Sequence, residues 1–305
     1  MSSQHNQAHH STLSKNWFDK YYKLMMLVTI LFLILCLAYL GFFYSQNQDF
    51  ILKDVSLSGG TTITLNTENL DINIYNLEST LKLKYPDMNF RKLDDIRTGK
   101  ALAIVIESSA SSDELKASIE SSTGIKLDNY NSNIEFTGPT LSKNFYRQLI
   151  IALIIAFVLM SIVIFFLFKT FIPSIAVIFA AFADIIMPLA VIDYFGIRLS
   201  SAGIAAFLML IGYSVDTDIL LTTIAIKNKE GFLNQRIFRA FKTGILMTST
   251  AIIAVLPAFF IVTGLPDSFR QIFLILAIGL FADIINTWLT NTGIIKWYCI
   301  KHNIE

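Results

Sequence analysis

The sequence predicts a membrane protein: a six-helix transmembrane bundle, one helix plus five, with an α+β domain of βαββαβ order inserted between helices 1 and 2. Three observations carry this. Hydrophobic residues make up 54% of the chain and charged residues 15%, which is too apolar for an ordinary soluble protein of this length. Six runs are long enough to cross a hydrocarbon core of about 30 Å. One segment of soluble-domain composition, 45–142, separates the first run from the rest.

Residues 1–23 are polar, with His5, His9 and His10 at no ligand spacing, and read as a cytoplasmic tail rather than a metal site. Residues 24–44 form the first span. It is too long for a signal-peptide core and is followed by no small-residue cleavage site, so it is expected to stay as an anchor. Within 45–142, residues 60–66 (GTTITLN) are rich in β-branched side chains, 71–85 is a capped amphipathic run stopped by Pro86, and 88–97 and 101–107 make a hairpin across Thr98, Gly99 and Lys100. Residues 112–121 open with a capping signature, and 125–136 supply a last strand. That order is the ferredoxin-like arrangement, a four-stranded antiparallel sheet with both helices on one face. It implies no chemistry by itself.

After Gly138 and Pro139 the chain returns to the membrane, with spans at 149–168, 171–194, 199–226, 241–262 and 269–295. Short links make successive helices antiparallel neighbours. Lys/Arg residues gather in the tail, at Lys169, in 227–242 and at Lys296 and Lys301, while the opposite links hold Arg198 and Arg270. The positive-inside rule then puts both termini in the cytoplasm and 45–142 outside. Arg236 and Lys242 read as anchors of this kind, Pro257 as a kink, and Cys36 and Cys299 as buried thiols. No nucleophile stands beside a base, and no cofactor, metal or nucleic-acid partner is called for; enzymatic activity is not expected.

The anomaly is polar chemistry at lipid depth. An acidic side chain at the centre of a membrane helix costs roughly 2.5–3.5 kcal/mol on the lenient insertion scale. Asp216 and Asp218 both lie in the fourth span and, at about 100° per residue, cannot share a face. Asp218 shares its face with Ser214 and Thr222, Asp216 with Gly212 and Thr223, so this helix belongs in the middle of the bundle. Asp184 lies in the third span, four residues before Pro188, whose ring frees a backbone carbonyl in that turn. The sixth span carries Asp283, Asn286, Thr287, Thr290 and Asn291 as a stripe on one face, and Thr243, Thr248, Ser249 and Thr250 add hydroxyls to the fifth. Ser214, Thr217, Thr222, Asn286, Thr287, Thr290 and Asn291 suit interhelical hydrogen bonding. Asp184, Asp216, Asp218 and Asp283, with Arg239 as the cation, form a candidate proton relay, because hydrogen-bonding glue needs no ionisable groups and a relay does.

Several short matches then converge: Ser58, Gly59, Gly60 and Thr61 at the start of the inserted domain; Gly138 and Pro139 before the second span; Asp184; Gly212, Tyr213 and Ser214 followed by acidic residues; and Asn234 and Gln235 leading to Arg239. In these the sequence resembles the SecF family, the smaller partner in the SecD and SecF pair of the RND superfamily that assists the Sec export channel. Where bacterial members have Asn-Asp-Thr after Gly-Tyr-Ser, this chain has Asp216, Thr217 and Asp218. Where they end the helix with Asp-Arg, it has Thr223 and Ile224. The Asp216 to Asp218 run and the stretch 283–288 look like the archaeal branch. The resemblance implies an RND-type bundle in an archaeal cytoplasmic membrane, SecD and a SecYE-type channel as partners, an unfolded preprotein as cargo, and proton-driven motion of the external domain. Two other readings stay open: a structural subunit that stabilises the channel with no ion flow, and half of a small-molecule RND exporter, against which the single modest external domain argues.

Overall fold

The computed structural model describes residues 17–67, 74–86, 88–94, 101–228, 230–261 and 267–304. Most of the expected tail, the start of the 71–85 run, the turn at Thr98 to Lys100 and much of the last link lie outside the described residues.

Among the described residues six helices are long and apolar enough to cross a membrane. They are α1 (Trp17–Asn47), α5 (Pro139–Phe168), α6 (Phe171–Tyr194), α7 (Ser201–Ile226), α8 (Leu233–Ile261), and a last span built from α9 (Asp267–Ile285), a π-helical segment (Asn286–Asn291) and α10 (Thr292–Lys301). The helices α5 and α8 start about ten residues before the apolar runs that marked them. At α5 the reason is local: Pro139 occupies the first turn, where its fixed φ suits a helix and its missing N–H costs nothing. The same helix stops at Lys169, which takes a left-handed conformation (φ 54°) and returns its N–H to Phe165. The helices α6, α7 and the last span are the interior of the bundle, whereas α1, α5 and α8 expose most of their surface.

The inserted domain is a four-stranded antiparallel sheet of order β2-β3-β1-β4, from β1 (Gly60–Asn66), β2 (Asn89–Asp94), β3 (Ala101–Ser108) and β4 (Ser132–Thr137). Its helices α3 (Ile74–Lys84) and α4 (Ser112–Thr123) cover the same face. Ile63, Leu65, Ile104 and Ile106 from the strands meet Leu77, Leu81, Leu115 and Ile119 from the helices in one core. Two local expectations are corrected. Strand β4 begins at Ser132 rather than near Ile125, because the Asp128 carboxylate captures the N–H groups of Tyr130 and Asn131 and turns the chain. The capping signature at α4 is not used as one: Ser111 stands at the N-cap in extended conformation, but its side chain makes no capping bond.

A short helix that the sequence reading missed, α2 (Val55–Ser58), joins the domain to the bundle. Asp54 caps it, accepting from the Ser56 N–H (2.9 Å) and the Ser56 hydroxyl (2.6 Å). The segment before it pairs with the approach to α7. Asp54 N–H donates to Leu199 O (3.0 Å), and Leu199 N–H donates to Leu52 O (2.6 Å). Ile51 and Leu57 sink into a cluster with Ile192, Leu199, Phe207 and Ile275 of the bundle. After α2, Gly59 (φ 87°) and Gly60 (φ 135°) turn the chain into β1; a Cβ on Gly59 would sit 2.5 Å from Pro139 Cα, and one on Gly60 2.3 Å from Ser108 O.

Burial pushes the Asp54 carboxyl up to about 6; the Ser56 hydrogen bonds and Arg91 pull it down, and Glu107 pushes it further up. The folded joint thus holds a proton on Asp54 more tightly than the unfolded chain does. Its stability is greatest below about pH 4, falls as pH rises toward 6, and carries the full penalty above that. Asp54→Asn keeps the capping oxygen and removes the titration. We expect the protection of amides 52–58 from hydrogen exchange, corrected for intrinsic rate, to fall between about pH 4 and 7 in the wild type. In the variant it should stay flat, with a gain of about 2–3 kcal/mol at neutral pH.

Candidate functional site

The polar centre of the bundle is assembled from α6, α7, α8 and the last span. On α6, Asp184 is buried and accepts from the Ser214 hydroxyl of α7 and from Asn286 Nδ2 (2.6 Å). On α7, Asp218 is buried and one of its oxygens, Oδ1, accepts from Thr287 Oγ1 (2.9 Å) and Asn291 Nδ2 (2.7 Å). The other oxygen has no hydrogen-bond partner among the described residues. On α9, Asp283 accepts from Thr287 Oγ1 (3.2 Å) and Thr248 Oγ1 (3.4 Å). Thr287 therefore faces two carboxylates with one hydroxyl proton, and can donate to only one at a time.

The π-helical segment makes this possible. Its wide turn lets the Thr292 N–H and hydroxyl both return to Thr287 O, and such turns recur at functional sites. The stripe predicted on one face is instead divided among three neighbours. Asn286 reaches α6, Thr287 and Asn291 reach α7, and Thr290 meets Thr29 of α1 at 2.6 Å. Trp288 fits under α8 at Gly244, where a Cβ would lie 2.4 Å from its ring.

Other expected site residues fall elsewhere. Asp216 is exposed on the opposite side of α7 with Gly212 and has no hydrogen bond or ion pair among the described residues. Arg239 does not approach the carboxylates: its side chain is 52% exposed and lies 3.8 Å from Glu230. The helix α8 turns Arg236, one turn earlier, inward instead. Thr217 and Thr222 are buried, but neither hydroxyl has a hydrogen-bond partner among the described residues, so neither makes the polar contact expected of it. Among the described residues, no Lys or Arg is ion-paired to Asp184, Asp218 or Asp283.

At the end of the bundle where α1 and α8 begin, two cations read as surface anchors are interior. Lys296 is 1% exposed, donates to Asp19 of α1 and to Asn234 Oδ1 of α8 (2.9 Å), and Asn234 Nδ2 donates to Asp19 (2.8 Å). Arg236 donates to the backbone oxygens of Asn228 and of Ile304 (2.8 Å). The only sequence signal for either was a basic residue inside an otherwise apolar helical repeat.

Residues 117–301 match the family model described as Protein export membrane protein SecD/SecF, C-terminal. Over 282 residues the chain is 36% identical to the protein-export membrane protein SecF of Methanolacinia petrolearia, covering 92% of this chain and 94% of that one. Over 292 residues it is 36% identical to the SecF of Methanocaldococcus jannaschii, covering 94% and 99%. Its fold superposes on the crystal structure of SecDF, a translocon-associated membrane protein from Thermus thermophilus, with a TM-score of 0.72 at 17% identity. That match takes in 93% of this chain and 38% of the longer one.

Two substitutions probe this geometry. Thr287→Val keeps the side-chain shape but removes the one hydroxyl proton that Asp218 and Asp283 share, and should lower stability in detergent by roughly 1–3 kcal/mol, with Thr287→Ser close to wild type. Lys296→Met leaves Asp19 and Asn234 without their shared donor. It should cost about 3 kcal/mol and release α1 to proteases that do not cut the wild type.

Proposed function

This chain belongs to the SecD/SecF family of protein-export membrane proteins, and on that premise we propose that it is the SecF-type accessory subunit of the Sec translocase, promoting preprotein export together with SecD. The family and the six apolar helices make it a membrane protein with a role in protein export. The finer reading is that proton movement through Asp184, Asp218 and Asp283 drives that role.

One observation carries it: three carboxylates are buried in one cluster, two of them, Asp218 and Asp283, share the donor Thr287, and no Lys or Arg among the described residues is ion-paired to any of the three. Three full negative charges in a dry cluster would each cost several kcal/mol. The cluster must take up protons, or a cation brought by a partner, and uptake at Asp218 or Asp283 changes which of the two Thr287 serves. A charge crossing the membrane field carries about 2.3 kcal/mol per 100 mV, enough to tilt a two-state equilibrium more than tenfold.

The rest of the reading follows from charge and topology. Basic residues at Lys169, in 227–242 and at Lys301 favour cytoplasmic termini in the plasma membrane. The sheet domain is then external, and its strand order, with both helices on one face, supports a ferredoxin-like assignment. Asp216 and Gly212 mark the face of α7 that SecD would cover. A SecYE-type channel and an unfolded preprotein complete the assembly.

Asp184→Asn, Asp218→Asn and Asp283→Asn, made singly, should each cut proton-gradient-dependent export more than tenfold while the complex with SecD is still recovered intact. Wild-type export in all three would leave a structural subunit that holds the translocon without ion coupling.

A further inference from the structure

The site lies inside the bundle, yet the work proposed for it is done by a domain outside. The path between them is short and specific. Asp218 and Ser201 sit on one unbroken helix, roughly 25 Å apart at 1.5 Å per residue. The first N–H groups of any helix lack partners within it. At α7 the Ser201 N–H donates to the Ser56 hydroxyl oxygen at 3.0 Å, and that hydroxyl donates onward to the Asp54 carboxylate. The inserted domain thus supplies part of the cap of the helix that carries Asp218.

Beside this bond run the two backbone bonds that pair Leu52 and Asp54 with Leu199, two residues before α7 begins. There is no slack beyond the joint. The Ser58 hydroxyl donates to Asp54 O, the Gly59 N–H to Val55 O, and the chain then enters β1, an inner strand paired on both sides. The domain's other exit, through Gly138 and Pro139 into α5, abuts Gly59. Among the helices that hold the domain, α5 through Pro139 and α7 through Ser56 do so at adjacent points. A shift of α7 against α5 would turn the sheet about Gly59. The helix α7 is also tied to α9 at this end, since Ser200 N–H donates to Gln271 Oε1 (2.8 Å) and Gln271 Nε2 donates to Arg198 O (2.5 Å), so the helices that carry Asp218 and Asp283 are joined here too.

We propose that the hydrogen bond from Ser201 to Ser56, with the backbone pairing of Leu52 and Asp54 to Leu199, is the joint through which displacement of α7 turns the external domain, and that Ser56 is its positioning residue. This rests on the reading of Asp218 as the group whose protonation moves α7. It gives the Ser58 to Thr61 motif a mechanical reason: only glycine permits the close pivot at Pro139 and the entry to β1 beside Ser108.

The test is a coupling cycle in the full chain reconstituted with SecD. Spin labels on Ser121→Cys and Tyr194→Cys report the distance between the sheet domain and the bundle, with Asp218 either native or changed to Asn as a stand-in for its protonated form. With Ser56 present, Asp218→Asn should change the ratio of the two distance populations at least threefold. Ser56→Ala should abolish that response, and Ser56→Thr, which restores a hydroxyl, should recover it. Ser201→Pro removes the donor itself at a helix position that tolerates proline, and should match Ser56→Ala. A response that persists in both Ser56→Ala and Ser201→Pro, or that is missing when Ser56 is intact, overturns the joint. A response that needs Ser56 while Asp218→Asn exports normally keeps the joint and removes the proton reading.

Discussion

The structure is governed by the cost of placing a carboxylate where water cannot follow. Asp184, Asp218 and Asp283 each need donors within reach, and in a bilayer these must come from other helices. That requirement packs α6, α7 and the last span around one polar centre, because Asp218 draws on Thr287 and Asn291 of the last span while Asp184 draws on Ser214 of α7 and Asn286 of the last span. It also asks the last span to offer donors in more than one direction. A regular α-helix would keep Asp283, Thr287 and Asn291 in a narrow stripe. The π-helical segment spreads its amides and hydroxyls over α1, α6 and α7, so a local departure from ideal geometry satisfies several neighbours at once.

Much of this was legible in the residues. Acidic side chains inside apolar runs are rare enough to be informative singly, and Asp184, Asp218 and Asp283 all proved interior. The spacing argument that Asp216 and Asp218 must part also held, since 100° per residue leaves no alternative on a regular helix. What composition does not encode is which way a cation turns. Arg239 and Arg236 are one turn apart on α8 with equivalent neighbours in sequence, and only the packing of the C-terminal residues against α8 selects Arg236 for the interior. Lys296 was masked by the positive-inside pattern, which counts basic residues and is blind to the Asp19 and Asn234 that lie far away in sequence. The helix α2 is four residues long and exists because Asp54 caps it and Leu57 is buried in the bundle; no periodicity can announce so short an element.

The two ends of the bundle are built differently, and the difference matters for motion. Where α1 and α8 begin, Lys296, Asp19, Asn234 and Arg236 lock α1, α8 and α10 together with charge-assisted bonds. At the opposite end the contacts between α7, α9 and the inserted domain are neutral side-chain bonds and short backbone pairings, which exchange partners at lower cost. On the proposed reading, a displacement that starts at Asp218 meets more resistance at the first end than at the second. The inserted domain sits at the compliant end.

Asp216 completes the logic from the outside. Facing away from the bundle beside Gly212, it would meet acyl chains if this chain stood alone, at roughly 2.5–3.5 kcal/mol. Such a carboxylate is tolerable only if another surface supplies the donors that α7 cannot. The glycine beside it leaves room for close approach of a second helix, which small residues favour in membranes. Helix α7 thus holds one carboxylate against its own bundle and offers another outward, less than one turn apart along the same rod. On the proposed reading, binding on the outer face and protonation on the inner face would act on one helix, so each would change the free energy of the other.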